Sequence, residues 1–92
     1  MNDKNIQWER HNGGLNEMWH LREYRVDKKH HPQMYSVVLG SARKVKNNHR
    51  CRAWAVKYEA PMYDEHLATL KDMKRPEALA AAKLLILLRL KQ

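Results

Sequence analysis

The chain predicts an α+β fold, a four-stranded antiparallel β-meander packed on one face by one or two C-terminal helices in the order β-β-β-β-α-α. Three observations carry this expectation. Strand-like segments alternate with turn signals through the first sixty residues, the first two of them match each other as a hairpin, and the pattern turns helical after Pro61. The expected organisation is one domain over residues 1–92, with sheet to residue 60 and helix from 61 onward.

The strand-like segments are roughly Lys4–His11, Leu15–Val26, Met34–Lys44 and Arg50–Glu59. Asn12-Gly13-Gly14, Asp27 through Gln33, and Asn47-Asn48 separate them. With Gly13-Gly14 as a two-residue turn, one face pairs Arg10 with Glu17, Trp8 with Trp19, Ile6 with Leu21 and Lys4 with Glu23. Opposite charges then bracket an aromatic and an aliphatic pair, which are favourable cross-strand neighbours. A turn at Asn47-Asn48 sets Val37 opposite Tyr58, Leu39 opposite Val56 and Ser41 opposite Trp54. Centring the middle loop near His30 places Leu21 beside Leu39. The expected inner layer is Ile6, Trp8, Trp19, Leu21, Tyr35, Val37, Leu39, Trp54, Val56 and Tyr58. The opposite face would present Ser36, Val38, Gly40 and Ala42 beside Cys51, Ala53 and Ala55, a small and fairly apolar surface flanked by Arg22, Lys44 and Lys57.

After Pro61, Asp64 is placed to cap a short helix running to about Lys74, with Leu67, Leu70 and Met73 or Lys74 on one side. Arg75-Pro76 then breaks the chain before a terminal helix. Eleven of the fifteen residues from Ala78 to Gln92 are apolar, and Glu77, Lys83, Arg89 and Lys91 point in scattered directions. A small domain covers one face of such a helix. The remaining face, around Leu84, Leu85, Leu87, Leu88 and Arg89, is therefore the expected partner-binding surface.

Composition narrows the function class. The single cysteine, Cys51, excludes an internal disulfide and suits a reducing compartment. The N-terminus has no apolar signal core, and the C-terminal apolar run falls short of the ~20 residues that span a bilayer, so a cytoplasmic protein without membrane contact is expected. The formal charge is +8, and the stretch from Arg43 to Lys57 holds six Lys or Arg residues and no acid. Lys28, Lys29, Arg43, Lys44, Lys46, Arg50 and Arg52 are the expected nucleic-acid contacts, made to the phosphate backbone by basic hairpin loops.

Catalytic patterns are missing from the sequence. The six histidines show no His-x-x-x-His spacing and Cys51 stands alone, so no metal site and no cofactor are expected. Val26-Asp27-Lys28-Lys29-His30-His31-Pro32, with Asn47 and His49-Arg50-Cys51, faintly resembles the His–Asn–His nuclease family. There one histidine holds a metal and another activates water. Asn47 or Asn48 lies too close to His49, and a strand-like segment follows where that family needs a helix. The resemblance is therefore set aside. Arg50 and Arg52 would lower the Cys51 thiolate pKa, but no base and orienting acid accompany it.

The sequence thus leads to a non-enzymatic interaction protein. Small size, high charge and one very apolar helix match the profile of phage and mobile-element accessory proteins. The expected partner is a larger host protein or nucleoprotein complex, such as a nuclease or defence complex, which the chain inhibits or redirects. The alternative is a sheet-based nucleic-acid-binding module. A homodimer through the C-terminal helix is the simplest form of partner binding.

Overall fold

A computed structural model describes residues 5–11, 16–27, 33–46 and 52–92. Five antiparallel strands follow one another in the sheet in chain order. They are β1 (Ile6–Arg10), β2 (Met18–Asp27), β3 (Gln33–Lys46), β4 (Arg52–Glu59) and β5 (Asp64–Lys71), and α1 (Arg75–Leu90) follows. Among the described residues the architecture is α+β, with one strand more than the sequence predicts and one C-terminal helix.

The fifth strand replaces the expected helix from Asp64 to Lys74. The Ala60 amide donates to the Tyr63 carbonyl at 3.0 Å, closing a turn that sets Glu59 opposite Asp64. β5 then pairs along the outer edge of β4. An eleven-residue helix is marginal by itself, whereas this edge offers hydrogen bonds along the whole segment. The helical spacing of Leu67 and Leu70 has a specific origin. Val56 pairs with Ala68 and Lys57 with His66, so Leu67 is the extra residue of a bulge. Leu67 and Leu70 consequently both pack against the core although they lie three residues apart.

The first hairpin keeps its predicted faces in a shifted register. Trp8 pairs with Leu21, Arg10 with Trp19 and Ile6 with Glu23, two residues from the predicted alignment. Because side chains alternate with period two, the shift leaves Ile6, Trp8, Trp19 and Leu21 on one face. Glu17 is drawn away from Arg10 by Arg75 and by the Trp19 indole.

Register errors elsewhere change sides. Leu21 pairs with Gly40 and not with Leu39, while Arg22 pairs with Val38, which leaves Leu39 as a bulged residue. β4 meets β3 three positions from the predicted register, with Gly40 opposite Tyr58, Ala42 opposite Val56 and Lys44 opposite Trp54. Gly40 and Ala42 therefore lie on the helix-covered face, contrary to the sequence reading, and Ser41 lies on the other. Tyr35 keeps the face of Val37 but lies past the end of the β3–β4 ladder, so it is 46% exposed and outside the predicted inner layer. The two turns assigned to Gly13-Gly14 and Asn47-Asn48 lie outside the described residues.

The helix lies across β3, β4 and β5. Lys74 occupies its N-cap without a side-chain cap bond, and Pro76 stands in the first turn, where its missing N–H costs no hydrogen bond. Glu77 in the first turn and Arg89 in the last complement the helix dipole. Its buried residues are Ala78, Ala82 and Ile86, a line of mostly small side chains at every fourth position. They meet Leu21, Leu39, Ala42, Trp54 and Val56 of the sheet. Gly40 completes this fit, because a Cβ there would lie 2.5 Å from Ile86 Cδ1 and 2.5 Å from the Lys57 carbonyl oxygen. Trp54, 2% exposed, donates its indole N–H to the Met73 carbonyl at 3.3 Å, which ties the inner layer to the connection before α1.

Candidate interaction surfaces

Two arginines fasten the helix at its ends. Arg75 makes a bidentate contact with Glu17, Nε to Oε2 at 2.6 Å and NH2 to Oε1 at 2.9 Å. The Trp19 indole N–H donates to the same carboxylate at 2.7 Å. The Arg75 hydrogen bonds are the main reason the Glu17 pKa falls to about 2; burial opposes the shift and Trp19 adds to it. At the other end Arg89 donates to Glu65 at 2.6 Å and to the Tyr63 hydroxyl at 3.1 Å, and its guanidinium lies 4.9 Å from the Tyr58 ring centre. The hydrogen bond to Glu65 raises the Arg89 pKa further, so this group stays charged.

The two clamps and the buried line from Ala78 to Ile86 determine which side of the helix faces outward. Leu84 and Leu88, one turn apart, are 65% and 58% exposed. Ala80 and Glu77 are exposed near them. Leu85 and Leu87 sit on the flanks, half-buried against the core. Of the five residues predicted to bind a partner, Leu84 and Leu88 thus share one outward stripe. Leu85 and Leu87 hold the helix to the sheet, and Arg89 is occupied by Glu65 and two tyrosines.

Of the predicted nucleic-acid contacts, the side chains of Arg43 and Lys44 are the ones described, and they face opposite sides of the sheet. Arg43 is exposed on the helix-free face, whereas its neighbour Lys44 points to the helix side. Lys44 lines a cavity of about 280 Å³ with Trp54, Met73, Lys74 and Arg75. Lys46 and Arg52 pair at the far end of the β3–β4 ladder. Lys28, Lys29 and Arg50 lie outside the described residues, as does Cys51. Of the cations expected to flank the helix-free face, Arg22 and Lys57 do lie on it, Lys44 does not, and Lys71 of β5, which the sequence reading placed in a helix, joins them. Arg22 is already paired with Glu9 at 3.0 Å. Lys71 escaped the sequence reading because its segment was expected to be helical.

Among the described residues no group of three or more His, Cys, Asp or Glu side chains could hold a metal ion. No described helix is long and apolar enough to cross a membrane. No protein-family model matches the chain, and no curated protein or solved structure does either.

Proposed function

We propose that the chain is a small non-enzymatic interaction protein. It docks on a larger host protein or nucleoprotein complex, of the nuclease or defence type, and inhibits or redirects it in the manner of phage and mobile-element accessory proteins. The supporting observation is the pair Leu84 and Leu88, held in solvent by a helix whose other sides are already engaged. Two leucines one turn apart are the anchors with which a helix enters an apolar groove. Ala80 beside them leaves room for close approach. The basic surfaces would then lie against acidic protein or bound nucleic acid.

The test is capture of partners by the tagged chain from its native cell, with and without nuclease, in parallel with a Leu84→Glu/Leu88→Glu variant. A defined partner that survives nuclease and is lost by the variant supports the reading. Partners that vanish with nuclease, or that bind the variant equally well, refute it.

Exposed Arg43 and the formal charge of +8 support the second reading, a sheet-based module on the phosphate backbone. Binding to a short duplex would then weaken steeply with added salt, and Arg43→Ala would lower the salt slope by about one unit.

A further inference from the structure

β2 and β3 run on beyond the body of the sheet as a two-stranded arm. β3 pairs with β2 as far as Gln33, while its ladder with β4 stops at Gly40. Among the described residues nothing pairs with the other edge of the segment from Gln33 to Leu39, a free edge about 23 Å long. Proteins commonly protect such edges with lysine, proline or short length. This segment reads Gln-Met-Tyr-Ser-Val-Val-Leu, with neither a charge nor a proline. Aromatic and β-branched residues without charge are the composition that favours addition of another strand. Met34 is 70% exposed, Tyr35 46%, and Val26, the cross-strand partner of Met34, 52%. A two-stranded ribbon presenting these groups to water is marginal without further cover.

The edge suits a second copy of the same chain. Its sequence is nearly symmetric in character about Ser36, with Met34-Tyr35 on one side and Val37-Val38 on the other. Antiparallel pairing across a two-fold axis at Ser36 sets Tyr35 against Val37 and Met34 against Val38, and it joins free backbone donors to acceptors. The uncharged edge also lets two cationic chains meet without opposing like charges. Where the arm meets the body there is a cavity of about 530 Å³, lined by Leu39, Tyr58, Pro61 and Leu90 together with Glu59 and Asp64. Arg25 lines it too and offsets one of the two acids, and the cavity leaves room for the end of a partner's arm.

We infer that the Gln33–Leu39 edge of β3 pairs antiparallel with the same edge of a second copy, giving a two-fold dimer whose sheet continues through both arms. The contact is independent of the helix stripe. A contact confined to one short strand edge is small, so a weak dimer that forms with rising concentration is expected.

Sedimentation velocity of the purified full chain from about 1 to 300 µM tests this directly. Dimer is expected to accumulate with concentration, with Tyr35→Lys and Val37→Lys each weakening it at least ~10-fold. Leu84→Glu/Leu88→Glu should leave the equilibrium unchanged. Hydrogen exchange of the wild-type chain supplies a readout that needs no substitution. Amides between Met34 and Val38 should gain protection as concentration rises. A monomer at every concentration, or exchange in this segment that is independent of concentration, overturns the inference. So does a dimer that persists in Tyr35→Lys and is lost in Leu84→Glu/Leu88→Glu.

Discussion

Gly40→Ala should destabilise the protein, although the same change in an ordinary strand stabilises it. Gly40 needs no left-handed backbone, so a methyl group would normally gain about 0.5–1 kcal/mol by restricting the unfolded chain and improving strand propensity. Here the new Cβ would stand 2.5 Å from Ile86 Cδ1, 2.7 Å from Ile86 Cγ1 and 2.5 Å from the Lys57 carbonyl oxygen. Restoring a carbon–carbon separation of about 3.5 Å requires the helix to retreat by roughly 1 Å, and a gap of that size forfeits a quarter to a half of each dispersion contact beneath it. Overpacking costs about 1–3 kcal/mol, and because one crowded atom is the Lys57 backbone carbonyl the upper half of that range applies, leaving a net loss of about 1–2 kcal/mol. For a domain of this size that is a fall in Tm of roughly 5–15 °C. Urea unfolding followed by tryptophan fluorescence reports it directly, since Trp54 is in the affected layer. Ile86→Ala removes both crowded side-chain atoms and costs about 2–5 kcal/mol alone. In that background Gly40→Ala should cost about 1 kcal/mol less, the residue coming from the Lys57 carbonyl. A Gly40→Ala protein as stable as wild type, or more stable, would show that α1 is not seated on this position.

Further outcomes follow from the clamps and the helix surface. Glu17 titrates at about 2 in the folded chain against an ordinary 4.5. Its contribution is therefore fully present above pH 4.5 and fades as pH falls toward 2. With Arg75 half-exposed and screened by solvent, Glu17→Gln should cost about 1–2 kcal/mol at pH 7, and the gap in urea midpoints should close on acidification. An unchanged gap down to the bottom of that range would refute the Arg75 clamp. Leu84→Glu/Leu88→Glu should alter stability by less than about 0.5 kcal/mol, because both side chains already stand in water. Leu85→Glu should lower the unfolding midpoint strongly, since this side chain packs against the core. Equal effects of the two changes would mean that the helix is rotated from the orientation described.

What the sequence disclosed follows from which patterns survive a register error. The faces of Ile6, Trp8, Trp19 and Leu21 survive because a slip of two residues preserves alternation. The faces of Gly40 and Ala42 do not, because the bulge at Leu39 inserts one residue and reverses everything beyond it. The same device around Leu67 produced a three-residue apolar spacing that reads as helix in a strand. The terminal helix was plain from Pro76 and its Ala and Leu content. Its inward side was not, because leucines occur all round it and burial selects Ala78, Ala82 and Ile86 instead. The fit of these small residues against Gly40 depends on pairings between distant parts of the chain. Arg89 was read as a free binding group for a related reason, since its partner Glu65 sits in a segment expected to be helical.

The paired arginine clamps have a consequence for recognition. With Arg75 anchored to β2's approach through Glu17 and Arg89 anchored to β5 through Glu65, the helix resists rotation about its long axis at both ends. Leu84 and Leu88 are thus presented at a fixed azimuth before any encounter. A groove that accepts them meets a preorganised surface and loses little entropy in ordering it, in contrast to a flexible tail that must fold as it binds. Association through this stripe would then proceed as rigid docking, with selectivity set by whether the groove's two pockets match the one-turn spacing.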